Sequence, residues 1–274
     1  MKYRLVVFDL DGTLLDSDFQ VRPESIVSID ALRRQGIGAM IVTGRHHVAA
    51  APYHRALGLD LPAICCNGTY LFNYATGQSQ MGKPLSHTQA LFMLRKIRER
   101  GVHALMYIND AITYEQTEPH LARLLAWAQT LSPSERPTFR QVENFESTVI
   151  NSPIIWKFAL SHSLYEPLGE LVADVQREMG LACEWSGENR VDVAQGGNSK
   201  GNLLAQWLET QGISPTEVVA FGDNLNDISM LQLVGLGVAM GNSTHAVQIS
   251  ADRVIGSHNS AAIADTLHRY VLTA

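Results

Sequence analysis

The spacing of apolar and polar residues divides the chain into alternating short strands and amphipathic helices. Near the N-terminus a continuous apolar run, Leu5–Phe8, is typical of a buried strand, and residues 23–35 repeat apolar side chains at helical spacing. Further strands are predicted over residues 37–42 and 62–66, with a helix over 48–57 between them. Strands and helices that alternate at this spacing predict a parallel sheet with helices on both faces.

The pattern changes in the middle of the chain and then returns. In the middle part, helices are predicted over residues 86–100, 118–130 and 164–179, and strands over 104–108, 112–115, 154–160, 181–185 and 190–193. After Ser199 we predict helices over 200–210, 227–233, 244–250 and 261–272, and strands over 218–222, 237–240 and 253–255. We therefore predict an α/β core formed by residues 1–84 and 186–274, and an inserted α+β domain of residues 85–185.

Composition excludes several classes of function. Apolar residues make up 46% of the 274 residues and charged residues 18%, which is an ordinary globular balance. The net charge of −6 argues against a general nucleic-acid binder. No apolar run approaches the roughly 20 residues that span a bilayer, and the first strand begins too early for a signal peptide. The three cysteines (Cys65, Cys66 and Cys183) have no metal-type spacing, so we expect reduced thiols in a cytoplasmic protein without a membrane partner.

Four polar clusters lie at the ends of predicted strands or at the starts of helices. They are Asp9 with Asp11, Thr43 with Gly44, Ser199 with Lys200, and the segment from Gly222 to Asp227. Ligands of open α/β sheets gather at the carboxyl ends of the strands, which favours a shared site. Taken singly, each cluster has a plainer interpretation, because Asp-Gly and Gly-Asp-Asn are common in turns and a lysine is usually solvated.

Taken together, the clusters predict a site for a phosphate group and a metal ion. Carboxylates of Asp9, Asp11 and Asp223 are the hard oxygen ligands that Mg²⁺ prefers. Lys200 begins a predicted helix, where both its ammonium group and the helix dipole favour an anion. The other groups available to phosphate oxygens are the Thr43 hydroxyl, a backbone N–H near Gly44 and the Asn226 amide.

The order of these clusters resembles that of the haloacid dehalogenase-type phosphatases. The segment Asp9-Leu10-Asp11-Gly12-Thr13 matches the first motif of that family, Thr43 the second, Lys200 the third, and residues 222–227 the fourth. The insert between the second and third motifs is similar to that of the Cof-type branch, which carries a large cap. The resemblance implies a Rossmann-like, doubly wound parallel sheet with an inserted cap domain that determines substrate specificity.

The resemblance also implies a role for each motif residue. Asp9 would be the nucleophile that forms an aspartyl-phosphate, and Asp11 the acid and base, with its backbone carbonyl on the metal. Asp227 would orient either the metal site or Lys200. The groups implied to hold the phosphate are the Leu10 backbone amide, Thr43, Gly44, Lys200 and Asn226, and those implied to hold Mg²⁺ belong to Asp9, Asp11 and Asp223.

The leaving group has to be recognised by residues outside these motifs. Arg45 is a candidate substrate contact, and aromatic side chains of the insert could stack on a flat ring or simply form the core of the insert. These aromatic residues are Tyr107, Tyr114, Trp127, Trp156 and Trp185. We expect small phosphorylated metabolites as substrates, with pyridoxal 5′-phosphate and sugar phosphates as the first candidates. A phosphotransferase or mutase, and a non-catalytic phosphate-binding module, are the alternatives.

Overall fold

The computed structural model describes residues 2–272, which form two compact units. The first unit contains Met1–Arg45, Tyr53–Met81 and Ser199–Ala274, and the second contains His46–Pro52 and Gly82–Asn198. The strands are β1 (Leu5–Phe8), β2 (Gly38–Ile41), β3 (Ala63–Cys65), β4 (Tyr70–Asn73), β5 (Gln78–Gln80), β6 (His103–Ile108), β7 (Ile112–Tyr114), β8 (Phe139–Gln141), β9 (Ile155–Ser161), β10 (Ala182–Gly187), β11 (Arg190–Ala194), β12 (Val218–Gly222), β13 (Leu236–Ala239) and β14 (Arg253–Val254).

The helices follow the predicted alternation closely. They are α1 (Pro23–Arg34), α2 (His47–Ala56), α3 (His87–Arg100), α4 (Pro119–Thr130), α5 (Phe145–Asn151), α6 (Tyr165–Met179), α7 (Lys200–Gln211), α8 (Ile228–Leu231), α9 (His245–Gln248) and α10 (Ala262–Leu267). The helix predicted over 227–233 is shorter than expected, because a 3₁₀ turn over Leu225–Asp227 precedes it. The last predicted helix continues beyond α10 as a π-helical turn over His268–Leu272.

The sheet of the first unit has the order β14-β13-β12-β1-β2, and all of its neighbouring strands are parallel. Every residue of β1 and β12 is buried, so both faces of the sheet centre are covered. On one face, Leu5 and Val7 belong to the same apolar cluster as Leu204 and Trp207 of α7. Helix α1 contacts α10. The predicted α/β class with a parallel core is therefore confirmed.

Strand order places the functional ends of three strands side by side. β1 lies between β12 and β2, and the chain continues from β1 to one side of the sheet and from β12 to the other. In open α/β sheets, the carboxyl ends of the strands at such a reversal of strand order are the usual ligand position. The hairpin formed by β4 and β5 next to β3 was absent from the sequence prediction, because β5 is the polar tripeptide Gln-Ser-Gln and has no apolar pattern.

The second unit is built on a six-stranded sheet of order β10-β11-β9-β6-β7-β8. Its pairs are antiparallel except for β7 and β8, which are parallel. Helices α3 and α6 contact each other, and their Met93 and Leu171 share an apolar cluster with Phe158 and Val193 of the strands. The unit extends to Asn198 and not to the predicted boundary at residue 185, because β11 pairs with β9 and β10 of this sheet.

Most aromatic residues of the second unit that were considered for substrate stacking contribute to packing. Tyr107, Trp127 and Trp156 are buried, and Trp185 stacks on Tyr165 with ring centroids 5.1 Å apart.

Strand β8 and helix α5 were absent from the sequence prediction; both are short and follow a polar loop.

None of the three cysteines forms a disulfide within the part of the chain that the structure describes. Between residues 2 and 272, no helix is both long enough and apolar enough to cross a membrane.

The buried His47 predicts a loss of stability in acid. Burial lowers its pKa to about 4 despite the nearby Asp110, whereas an unfolded histidine titrates near 6.5. The unfolded chain therefore binds a proton that the folded chain does not, so the free energy of unfolding decreases as pH falls from about 6.5 toward 4. One pKa unit corresponds to about 1.4 kcal/mol, which gives up to about 3 kcal/mol for this side chain.

Urea unfolding of His47→Gln at pH 7 and pH 5 measures this contribution. The variant is expected to lose less stability between the two pH values than the parent chain, and His103→Gln on the exposed side of β6 is the control. An identical loss in His47→Gln and in the parent chain would show that His47 is not the group responsible.

Candidate active site

The centre of the site lies at the carboxyl ends of β12, β1 and β2. Asp9 directly follows β1, Asp223 directly follows β12, and Thr43 comes two residues after β2. The backbone N–H of Asp9 donates to the Phe221 carbonyl at 3.0 Å, so the ladder between β1 and β12 extends to the aspartate itself. Asp9 and Thr43 are both buried. The parallel sheet thus brings together residues that are far apart in sequence.

Lys200 enters the site from the first turn of α7. Its Nζ lies 2.7 Å from Oδ1 of Asp9 and 2.6 Å from Oδ1 of Asp227, and its side chain is 1% exposed. Ser199 caps the helix by accepting the backbone N–H of Asn202 at 3.1 Å. The plainer interpretation of Lys200 as a solvated surface residue is therefore wrong.

A glycine sets the position of this helix start. A Cβ on Gly68 would lie 2.0 Å from the Ser199 carbonyl oxygen, and Gly68 has φ +83°. Only glycine permits both this conformation and this approach. The loop after β3 therefore packs directly against the residue that precedes Lys200.

Asp227 holds Lys200 and the loop after β12 at the same time. While Oδ1 accepts from Lys200, Oδ2 accepts the backbone N–H groups of Asp223 and Asn224, each at 3.0 Å. The side chain is fully buried. Both oxygens of Asp227 are thus engaged within the protein, which suits a residue that orients its neighbours.

Three carboxylates form a compact acidic cluster. Among the described residues, Asp9, Asp223 and Asp227 each have a carboxylate oxygen within 4.8 Å of the others. Burial raises the pKa of Asp9 well above its usual range, and repulsion by Asp227 and Asp223 adds to this against the attraction of Lys200. Burial and the charge of Asp227 raise the pKa of Asp223 to about 7. A cation at this cluster would offset both effects.

The geometry around Asp223 keeps its carboxylate at the loop after β1. Thr13 Oγ1 donates to Asp223 Oδ1 at 2.7 Å. Gly12 has φ +80°, and a Cβ there would lie 2.4 Å from Asp223 Oδ2. The Asp9-Leu10-Asp11-Gly12-Thr13 segment therefore supplies both the space and a hydrogen bond for Asp223.

The carboxylate oxygens of this acidic cluster fit Mg²⁺, which binds few carboxylates and completes its shell with water and phosphate oxygens.

The Asp11 side chain does not join this cluster but binds Arg45. Arg45 Nε donates to Asp11 Oδ2 at 2.7 Å, and Nη2 donates to Oδ1 at 2.6 Å. The guanidinium group of Arg45 thus forms a bidentate pair with Asp11, and its contact with substrate stays a prediction. The implied metal contact of Asp11 through its backbone carbonyl stays a prediction.

The groups implied to hold the phosphate include two buried residues near strand ends, Leu10 directly after Asp9 and Thr43 after β2. The Thr43 hydroxyl oxygen accepts the backbone N–H of Arg45 at 3.1 Å, which leaves the hydroxyl hydrogen to be donated elsewhere. Leu10 has a fully buried side chain directly after Asp9. In the loop after β12, Asn226 Nδ2 donates to Asn67 Oδ1 at 3.0 Å.

Asn67 is a site residue that the sequence analysis missed. A Cβ on Gly44 would lie 2.8 Å from Asn67 Oδ1, so Asn67 packs between the loop after β2 and Asn226. Asn67 has φ +58°, a left-handed conformation that asparagine adopts more readily than most residues. The Asn-Gly pair after β3 was the available signal.

Comparison with known proteins identifies the family of this chain. The model of the haloacid dehalogenase-like hydrolases matches residues 6–267. The chain belongs to this family.

Similar proteins match nearly the whole chain. The pyridoxal phosphate phosphatase of Escherichia coli is 46% identical over 99% of this chain and 100% of its own length. An HMP-PP phosphatase of Serratia proteamaculans is 27% identical over 98% of this chain and 96% of its own. The crystal structure of a haloacid dehalogenase-like hydrolase from Bacteroides thetaiotaomicron has a TM-score of 0.85 at 23% identity, covering 98% of this chain and 99% of that one, which supports the fold.

Removal of the buried lysine is expected to destabilise the first unit strongly. Lys200→Met leaves Asp9 and Asp227 buried without their cation, and breaking a buried ion pair in this way costs about 3–5 kcal/mol. Urea unfolding at pH 7 with a chelator present measures the loss. The double variant Lys200→Met/Asp227→Asn, which removes one of the two charges, is expected to recover part of it. A loss below about 1 kcal/mol, typical of a surface ion pair, would contradict this account of Lys200.

Proposed function

We propose that this hydrolase is a Mg²⁺-dependent phosphatase that forms an aspartyl-phosphate on Asp9, with pyridoxal 5′-phosphate as its substrate. The observation that carries the proposal is the buried Asp9 carboxylate at the end of β1, held by Lys200 at 2.7 Å beside Asp223. A site that only binds phosphate needs no carboxylate at its centre, since a carboxylate repels the ligand.

The first step transfers the phosphoryl group to Asp9. A carboxylate oxygen of Asp9 forms a bond to phosphorus in line with the leaving oxygen, whose bond to phosphorus breaks. Asp11 donates a proton to that oxygen, so the product leaves as an alcohol. In the second step, water attacks phosphorus, Asp11 accepts a proton from it, and the bond between phosphorus and Asp9 breaks to release inorganic phosphate.

Asp9 and Asp223, together with the backbone carbonyl of Asp11, are the groups we propose for Mg²⁺. Asp227 is less suited to be a direct ligand, because its oxygens already accept from Lys200 and from two backbone N–H groups. When bound, the metal supplies positive charge that reduces the repulsion between the nucleophile and the anionic substrate; two like charges about 4 Å apart cost about 4 kcal/mol at an effective dielectric constant near 20.

The chain's own donors hold the phosphoryl oxygens. Lys200, Thr43 and Asn226, with backbone N–H groups of Leu10 and Gly44, are proposed to bind these oxygens as negative charge spreads over them in the transition state. Because these donors recognise only the phosphoryl group, we assign selection of the leaving group to the second unit.

The choice of pyridoxal 5′-phosphate is supported by the relative that is 46% identical over nearly the whole chain. A broader set of small phosphorylated metabolites, sugar phosphates included, fits the same phosphoryl site. Release of inorganic phosphate in the absence of an acceptor alcohol separates a phosphatase from a phosphotransferase or mutase that uses the same aspartyl-phosphate.

A phosphate-release assay with pyridoxal 5′-phosphate tests the proposal. We expect hydrolysis that requires Mg²⁺, stops on addition of a chelator, and is abolished in Asp9→Asn, since the amide is not a nucleophile. Asp30→Asn on the exposed side of α1 is the matched control and is expected to keep full activity. Hydrolysis of sugar phosphates in preference to pyridoxal 5′-phosphate would overturn the substrate assignment, and full activity of Asp9→Asn would overturn the mechanism.

A further inference from the structure

Two aromatic rings hold the guanidinium group of Arg45. Its central carbon lies 5.5 Å from the ring centroid of Phe19 and 5.1 Å from that of Tyr53. The Tyr53 hydroxyl donates to the Phe19 carbonyl at 3.0 Å and also accepts from Arg45 Nη1 at 3.5 Å. We call Phe19 and Tyr53 the Arg45 clamp.

The backbone at Phe19 is held in an unfavourable conformation. Phe19 has φ +59°, a left-handed value that is rare for a bulky residue. Asp16 stabilises the turn, because its Oδ1 accepts the backbone N–H groups of Asp18 and Gln20 at 2.9 Å each, while its carbonyl accepts from Phe19. Strain of this kind persists where the surroundings enforce it and is concentrated at functional sites. In this protein, the left-handed turn places the Phe19 ring against the guanidinium group of Arg45.

Arg45 is the fixed partner of its pair with Asp11. The Arg45 side chain is 9% exposed, whereas that of Asp11 is 47% exposed. A guanidinium group presents its donors as a rigid planar fork, and it binds both oxygens of Asp11 at once. The orientation of the Asp11 carboxylate therefore follows from that of Arg45, which in turn follows from the clamp.

We propose that Phe19 and Tyr53 are positioning residues that act through Arg45 on Asp11 during hydrolysis of the aspartyl-phosphate. This rests on the proposed function, in which Asp11 accepts a proton from the attacking water. Water forms a bond to phosphorus, its proton passes to an Asp11 oxygen, and the bond to Asp9 breaks. The proton retained on Asp11 is then available for the next leaving group.

Steady-state kinetics with p-nitrophenyl phosphate isolates this step, because p-nitrophenolate leaves without needing a proton. For Arg45→Lys, which keeps the charge but loses the fork, we expect kcat to fall about tenfold or more, as when a general base is misplaced. Because aspartyl-phosphate then accumulates, KM falls in parallel, kcat/KM stays unchanged, and rapid quench shows a burst of p-nitrophenolate approaching one per site. Tyr53→Phe and Phe19→Leu are expected to show the same pattern with a smaller decrease.

Tyr270→Leu is the control, because Tyr270 also packs against an arginine, with the Arg253 guanidinium carbon 4.5 Å from its ring, outside the clamp. It is expected to leave kcat, KM and the burst unchanged. A higher KM with a lower kcat/KM in the clamp variants would mean that Arg45 binds substrate phosphate. A higher kcat would mean that the pair of Arg45 and Asp11 slows hydrolysis of the aspartyl-phosphate. Either result overturns the proposal. Absence of hydrolysis by the parent chain would instead refute the proposed function and the clamp's role with it.

Discussion

The burial of one ammonium group between two carboxylates is the interaction on which the rest of the site depends. Lys200 has almost no contact with water, so its charge is compensated by Asp9 and Asp227. Burial alone would lower the pKa of Lys200, but the two carboxylates outweigh it and raise the pKa above its usual range. The lysine therefore remains charged, and it ties the end of β1 to the start of α7.

The fold satisfies this constraint through close contacts of the backbone. Gly68 allows the loop after β3 to touch the residue before Lys200, and Gly12 allows the loop after β1 to touch Asp223. Larger residues at either position would separate groups that have to lie within hydrogen-bond distance. The positions of the charged side chains in the site therefore depend on glycine at both of these positions.

Much of the fold could be predicted from apolar periodicity and from the residues that typically begin and end helices. Helix α3 begins at the Ser86 cap and ends at Gly101 in a left-handed conformation, as the sequence indicates. The prediction was incomplete where periodicity is weak: β5 is polar, and β8 and α5 are short. The predicted end of the inserted segment at residue 185 lies before β11. The sequence indicates that β11 is a strand, but it does not indicate that β11 pairs with β9 and β10 of the second unit.

The site was predictable where a motif occupies consecutive residues, and less so where contacts join distant segments. Asp9 and Lys200 are 191 positions apart, and only the order of the motifs suggested that they meet. The pairing of Arg45 with Asp11 and the clamp around it could not be predicted, because Phe19 and Tyr53 resemble ordinary core residues until a turn in a left-handed conformation brings them together.

The central claim is that Asp9, held by Lys200, is the residue that becomes phosphorylated. Reductive trapping during turnover of pyridoxal 5′-phosphate tests it most directly, because borohydride reduces an acyl phosphate to an alcohol that mass spectrometry of the digested chain can locate. The account predicts reduction at residue 9 and at no other aspartate. Reduction at Asp11 or Asp223, or steady phosphate release with no trapped residue at all, would contradict it.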